Sequence, residues 1–182
     1  MHPALLYLPG ARLSVGELSA ARLDGHVVEV GDAYIPADLP ESPDVRAHSI
    51  AALVQEGAAA CGPSAAWIHG ARDAPPSIHH VRRCVERRVR PRVQTRVSFH
   101  DTLVPAADLA RLGGIFVTSP VRTMGDLATA LHRDPRVLPW MQALAQVDPT
   151  ALDGAIADLR ARRRVPGSVS GVAALERLVR RT

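Results

Sequence analysis

Seven arginines fall within fifteen positions: Arg82, Arg83, Arg87, Arg88, Arg90, Arg92 and Arg96, interrupted by one acid, Glu86. A guanidinium is a planar fork of N–H donors that matches phosphate. The cluster therefore has the composition of a polyanion-binding face. Smaller groups occur at Arg162, Arg163 and Arg164 and at Arg177, Arg180 and Arg181. All 22 basic residues are Arg, and both Lys and Asn are absent. That removes a Walker A lysine and a Schiff-base lysine. It also removes the lysine that ends the acidic motif of the usual nuclease core, and any N-glycosylation site.

Histidine is the side chain with the clearest catalytic potential. His69, His79, His80 and His100, with Asp101 and Cys84, are the candidates for a metal or acid–base site. Their spacing argues against one: there is no H-x-x-x-H and no H-E-x-x-H. On a strand, adjacent His79 and His80 point to opposite faces. Gly167-Ser168-Val169-Ser170-Gly171 puts Val where a nucleophile elbow needs Ser. Gly113-Gly114 precedes a β-prone run, the reverse of a phosphate loop. Cys61 and Cys84 form no C-x-x-C or zinc-ribbon pattern and read as small core residues in a reducing compartment. The expectation is no catalytic residue, no bound metal and no cofactor.

Charge is divided along the chain. Residues 1–60 hold three Arg and eight acids, a balance of −5, whereas residues 61–182 hold nineteen Arg and ten acids, a balance of +9. The basic part either meets a polyanion or is a solvated face that pairs with the acidic part. If nucleic acid is bound, this arithmetic puts the contact on the stretch from Arg82 to Arg96. The first helix offers only Arg22, against Glu17 and Asp24.

The elements that must position these groups follow from local patterns. A chain of 182 residues suits one medium domain or two small ones. Hydrophobic residues make up 47% and aromatics 3%, so the core is aliphatic and alanine-rich. Apolar runs are short and broken by charge, which predicts no membrane span. Residues 1–10 lack the basic start of a signal peptide. Ser14 and Glu17 form a capping box that opens a helix over 14–24, stopped by Gly25. Two β-prone runs turn at Gly31-Asp32, so this helix and hairpin match the latter half of a winged helix.

A Pro-, Asp- and Ser-rich loop over 37–44 separates a unit of residues 1–42 from a domain of residues 43–182. That domain is predicted to open with a helix from Pro43 or Asp44 to about Glu56. A short buried helix over 64–68 follows, with Trp67 at the junction of the two units. Residues 78–100 read as β structure, best over 93–100, where Val93, Thr95, Val97 and Phe99 face one way and Arg96 and His100 the other. A short helix is predicted over 105–111, then a turn and a strand over 115–118. Ser119 as N-cap and Pro120 at the first turn start a helix with Leu127 and Leu131 as its ridge. Arg122 and Asp126 are spaced to pair on it. Residues 136–182 read as helical, with a stripe of Leu152, Ile156 and Leu159 and a break at Pro166-Gly167. The last helix carries Leu175, Leu178 and Val179. The fold class is α+β: a degenerate winged-helix-like N-terminal unit packed on a mixed α/β domain with a helical C-terminus.

Three stretches carry a family resemblance: Gly31-Asp32-Ala33-Tyr34-Ile35-Pro36, Ser64-Ala65-Ala66-Trp67-Ile68-His69-Gly70, and Val117-Thr118-Ser119-Pro120-Val121-Arg122-Thr123-Met124-Gly125-Asp126-Leu127-Ala128. With this order of elements the chain resembles the actinobacterial proteins grouped with AbiEi-type antitoxins of type IV toxin–antitoxin systems. The resemblance implies a non-enzymatic, cytoplasmic regulator. Its winged helix would bind duplex DNA at its own promoter, and its C-terminal domain would support action against a nucleotidyltransferase-type toxin. Some relatives carry a nuclease-like domain after the matched region, and the expectation is that this chain lacks one. Two function classes stand: a DNA-binding regulator or antitoxin, and a protein–protein module without nucleic-acid binding. On the family pattern Arg22 and the hairpin near Gly31 dominate DNA contact, and on the charge pattern the arginines from 82 to 96 do.

Overall fold

The structure, a computed structural model, describes residues 5–162 and 166–180. Arg163, Arg164 and Arg181 of the two smaller arginine groups lie outside the described residues. Helix α1 (Val15–Leu23) leads into the hairpin β1 (Val27–Val30) and β2 (Ala33–Pro36), followed by α2 (Pro43–Ser49), β3 (Ala58–Ala60) and α3 (Gly62–Ile68). Next come β4 (His79–Arg83), β5 (Val97–His100), β6 (Leu109–Leu112) and β7 (Ile115–Thr118). Helices α4 (Pro120–Ala130), α5 (Leu138–Val147), α6 (Pro149–Ala161) and α7 (Ser168–Val179) complete the chain. The described residues thus form a mixed α+β fold, with seven α-helices, a two-stranded hairpin and a five-stranded sheet.

Local chemistry accounts for the clearest of these elements. Ser14 Oγ accepts the Glu17 N–H at 3.2 Å and the Glu17 carboxylate accepts the Ser14 N–H at 2.8 Å, closing the capping box of α1. Ser119 Oγ accepts the Arg122 N–H at 3.2 Å, with Pro120 in the first turn of α4. The hairpin pairs Val30 with Ala33 across Gly31-Asp32. In the larger sheet the order is β5-β4-β3-β7-β6. The central β3 runs antiparallel to β4 and parallel to β7, while β6 and β7 form an antiparallel pair.

Several sequence expectations are corrected. The helix opening at Pro43 ends at Ser49 and gives way to a 3-10 turn, Ala51–Leu53. Strand β3 is Ala58-Ala59-Ala60, buried throughout, so neither alternation nor β-propensity marks it. The β region 78–100 resolves into β4 and β5 with a strandless loop over 84–96 between them. Val93 is fully exposed there, because the parallel pairing of β5 with β4 begins only at His79 and Val97. The helix expected over 105–111 is a 3-10 turn, Ala106–Asp108, followed by β6, whose pairing with β7 overrides helical preference.

One contiguous core runs from Leu6, Val30 and Ile35 of the N-terminal residues through Trp67 and Val117 to Met141, Leu152 and Leu175. The expected stripe of Leu152, Ile156 and Leu159 is buried in it. Helix α4 packs against α3, α5, α6 and α7. Gly171 permits the α7 crossing, since a Cβ there would lie 3.2 Å from the Ala128 carbonyl carbon. Trp67 is fully buried. Its Nε1–H donates to the Asp73 carbonyl at 3.0 Å, and the Arg46 guanidinium lies 5.4 Å from its ring. Truncating so large a buried side chain typically costs about 3–5 kcal/mol. Trp67→Ala is therefore expected to lose about that much in urea unfolding, and an unchanged midpoint would contradict this account.

Candidate functional site

The seven clustered arginines do not share one face. Arg82 reaches across from β4 to both oxygens of Asp126 on α4, at 3.1 and 3.0 Å. Asp126 also pairs with Arg122 at 3.0 Å, and Arg122 with Asp108 at 2.6 Å. Asp108 in turn pairs with Arg162 at 2.9 Å, and Arg162 with Asp158 at 2.7 Å. These six residues make an alternating chain of charge with no net balance. It joins the sheet, the turn before β6, α4 and α6. Burial alone pushes the Asp108 carboxyl up, but Arg162 and Arg122 outweigh it and hold it below the usual carboxylate range.

The two longer signature stretches are built into this arrangement. Thr123 Oγ1 donates to the Thr118 carbonyl at 3.1 Å, and the two hydroxyls are 2.7 Å apart. His69 Nε2–H donates to the same carbonyl at 2.7 Å, so the stretches meet at Thr118. Ser64 Oγ accepts the His80 N–H at 2.8 Å and fixes α3 to β4. Their polar residues position backbone and ion pairs. Asp126→Asn would leave Arg82 and Arg122 mostly buried without their shared carboxylate. Such a loss costs about 3 kcal/mol, which chemical unfolding of the variant is expected to show.

The stretch from 83 to 96 has a different logic. Arg83 holds the loop from within. Its Nε–H donates to the Asp101 carbonyl and carboxylate at 3.0 and 2.9 Å, and its terminal N–H groups to the Val85 and Glu86 carbonyls at 2.9 and 3.0 Å. The Gln55 carboxamide donates to the Arg90 carbonyl at 3.1 Å and accepts the Arg92 N–H at 2.7 Å. One side chain thus does for the loop what a neighbouring strand would. Arg96 makes a bidentate pair with Asp32, at 2.6 and 3.1 Å, and ties the hairpin turn to the rim of β5.

What remains outward is Arg87, Arg88, Arg90 and Arg92, all exposed. Arg87 meets Glu56 at 3.1 Å and Arg88 meets Asp101 at 3.8 Å, exposed pairs that contribute little. Arg90 and Arg92 have no ion-pair partner among the described residues. Arg22, on α1, lies 3.7 Å from Glu29 of β1.

The histidines separate as their adjacency predicts. His79 is buried against Ser64, 3.3 Å from its Oγ, and lies edge-on to Trp67. His80 faces a cavity of about 280 Å³ shared with Cys61, Arg82, His100, Asp126 and Arg133. His80 Nδ1 and His100 Nε2 are 3.1 Å apart with the ring planes at 13° and centroids 5.4 Å apart, so the imidazoles meet edge to edge through one N–H···N bond. Among the described residues no group of three or more His, Cys, Asp or Glu is placed to hold a metal ion. Cys61 is buried, which pushes its thiol up to about 12, and Cys84 is half-buried; neither is in a disulfide.

Burial, reinforced by His100, pushes His80 down to about 4, and burial lowers His69, His79 and His100 as well. Released on unfolding, these rings titrate near 6.5. The unfolded chain therefore binds more protons between those limits. Stability is full above about pH 6.5 and falls as pH drops toward about 4. Urea midpoints measured between pH 7 and pH 4 are expected to decline, and His80→Phe is expected to flatten the decline.

The family model for the AbiEi antitoxin C-terminal domain matches residues 58–170, from β3 into the start of α7. No curated protein matches. Among solved structures, the chain is similar to the RV2827C protein from Mycobacterium tuberculosis, at 21% identity and a TM-score of 0.34, over 93% of this chain and 70% of that one.

Proposed function

This chain belongs to the AbiEi antitoxin family, and we propose that it acts as a non-enzymatic, DNA-binding transcriptional regulator and antitoxin. Its counterpart is a nucleotidyltransferase-type toxin, and it works in the cytoplasm. In this reading α1 and the hairpin are a degenerate winged-helix unit, residues 1–42, packed on a domain of residues 43–182. The observation that carries the nucleic-acid part is the loop over 84–96. Four arginines point outward from a backbone already fixed by Arg83 and Gln55, so phosphate binding has their side chains to order but not the loop itself.

The hairpin is poorly placed to compete. Asp32 is held by Arg96, and Gly31, at φ 58°, packs so closely that a Cβ would collide with Ser49 and press on Trp67. Arg22 is shared with Glu29. We therefore assign phosphate contact to Arg87, Arg88, Arg90 and Arg92. Arg82, Arg83 and Arg96 serve as supports, and Arg22 is a minor contributor.

A salt titration of duplex binding tests the assignment. Each phosphate neutralised adds about 0.9 to the slope of log affinity against log salt. Replacing Arg87, Arg88, Arg90 and Arg92 together by Ala is expected to flatten that slope and weaken all sequences alike, while Arg22→Ala does little. The opposite order would return the contact to the winged-helix unit. A second reading has its own observation: α1 buries only Leu18 and leaves Val15 and Leu23 exposed at 62% and 85%. That supports a protein-docking role for the acidic N-terminal unit. It becomes the leading reading if neither duplex nor single-stranded nucleic acid binds even near about 50 mM salt.

A further inference from the structure

Between the arginine loop and β5 lies a cleft of about 580 Å³, lined by Arg88, Val89, Arg90, Pro91, Phe99 and Asp101. The chain has two Phe, two Trp and two Tyr. Both Trp are buried in the core, whereas Phe99 is half-buried and lines this open cleft. Val89, Pro91 and Phe99 give it an apolar wall, with Arg88 and Arg90 beside them. The Arg88 side chain is 92% exposed and lies a loose 3.8 Å from Asp101, and Arg90 has no ion-pair partner among the described residues.

We infer that this cleft receives an unpaired nucleobase against Phe99, with Arg88 and Arg90 on the flanking phosphates, so that the face prefers single-stranded nucleic acid to duplex. The inference rests on the nucleic-acid reading above and deepens it. An aromatic beside a cationic rim is the arrangement that stacks single-stranded bases without sequence preference. A paired base within a duplex presents only its edge and cannot enter a concavity. Asp101 offers an acceptor to a base in the cleft. Its Oδ1 is bonded to Arg83, but Oδ2 has only the distant Arg88, which leaves it free to accept an N–H from a base edge.

The test compares three fluorescein-labelled probes by anisotropy: oligo-dT, an abasic strand of equal length and a duplex. Wild-type protein is expected to bind oligo-dT about tenfold more tightly than the abasic strand, the size of one stacking contact. Phe99→Ala and Phe99→Leu are expected to erase that difference while leaving abasic affinity unchanged, and Phe99→Trp to keep it. The leucine variant preserves apolar packing and guards against a folding artefact. Arg88→Ala with Arg90→Ala is expected to weaken all three probes together. Equal wild-type binding of base-bearing and abasic strands overturns the inference and leaves the nucleic-acid reading standing. So does a base preference that survives Phe99→Leu. If none of the probes binds at low salt, both fail. Phe99-dependent binding of an alternating Glu–Leu peptide, without strand binding, gives the cleft to a protein and overturns the inference.

Discussion

Asp126 is the hinge of the architecture. Its carboxylate takes Arg82 from the sheet and Arg122 from its own helix, and through Arg122 the chain of charge continues to Asp108, Arg162 and Asp158. Hydrophobic burial is non-directional. An alanine-rich core has few large side chains to lock one layer against another, and directional contacts take over that task. Charges removed from water carry a desolvation cost that only full pairing offsets. Here every member has an opposite neighbour and the six together are neutral, so the arrangement favours one register of sheet against helices. The longest signature stretch supplies the cap of α4, the Thr118–Thr123 contact and two of the six charges. Its residue pattern is the pattern of this junction.

Arginine is the only cation-bearing chain here apart from histidine, so one residue type must serve two opposed ends. Arg82 and Arg83 are held inward by Asp126 and Asp101, Arg96 is exposed but tied down by Asp32, and Arg87, Arg88, Arg90 and Arg92 remain outward. The difference is not written in the cluster itself. The acids that decide it stand 44, 18 and 64 positions away. Charge density is a local property of sequence and was legible. Its partition is a tertiary property and was not.

The same distinction runs through the fold. The capping box at Ser14, the turn at Gly31-Asp32 and the start at Ser119-Pro120 depend on atoms a few residues apart, and each forms as its spacing dictates. Strand β3 escapes such reasoning because three buried alanines carry neither periodicity nor propensity. Val93 to Phe99 alternates as a strand should, yet pairing begins only at Val97, where β4 supplies a partner. The helical pattern over 105–111 runs into Leu109–Leu112, which β7 claims as a strand. Where a neighbour distant in sequence decides, local pattern misleads.

The hold that Gln55 keeps on the arginine loop carries a consequence for how this face responds to its surroundings. An amide both gives and accepts a hydrogen bond without carrying charge, and Arg83 grips main-chain carbonyls as well as Asp101. Much of the scaffold is thus indifferent to ionic strength, whereas the guanidinium groups it displays are not. Rising salt would dim the attraction and leave the template intact. A polyanion shed in this way would find the same surface waiting when the ions were diluted.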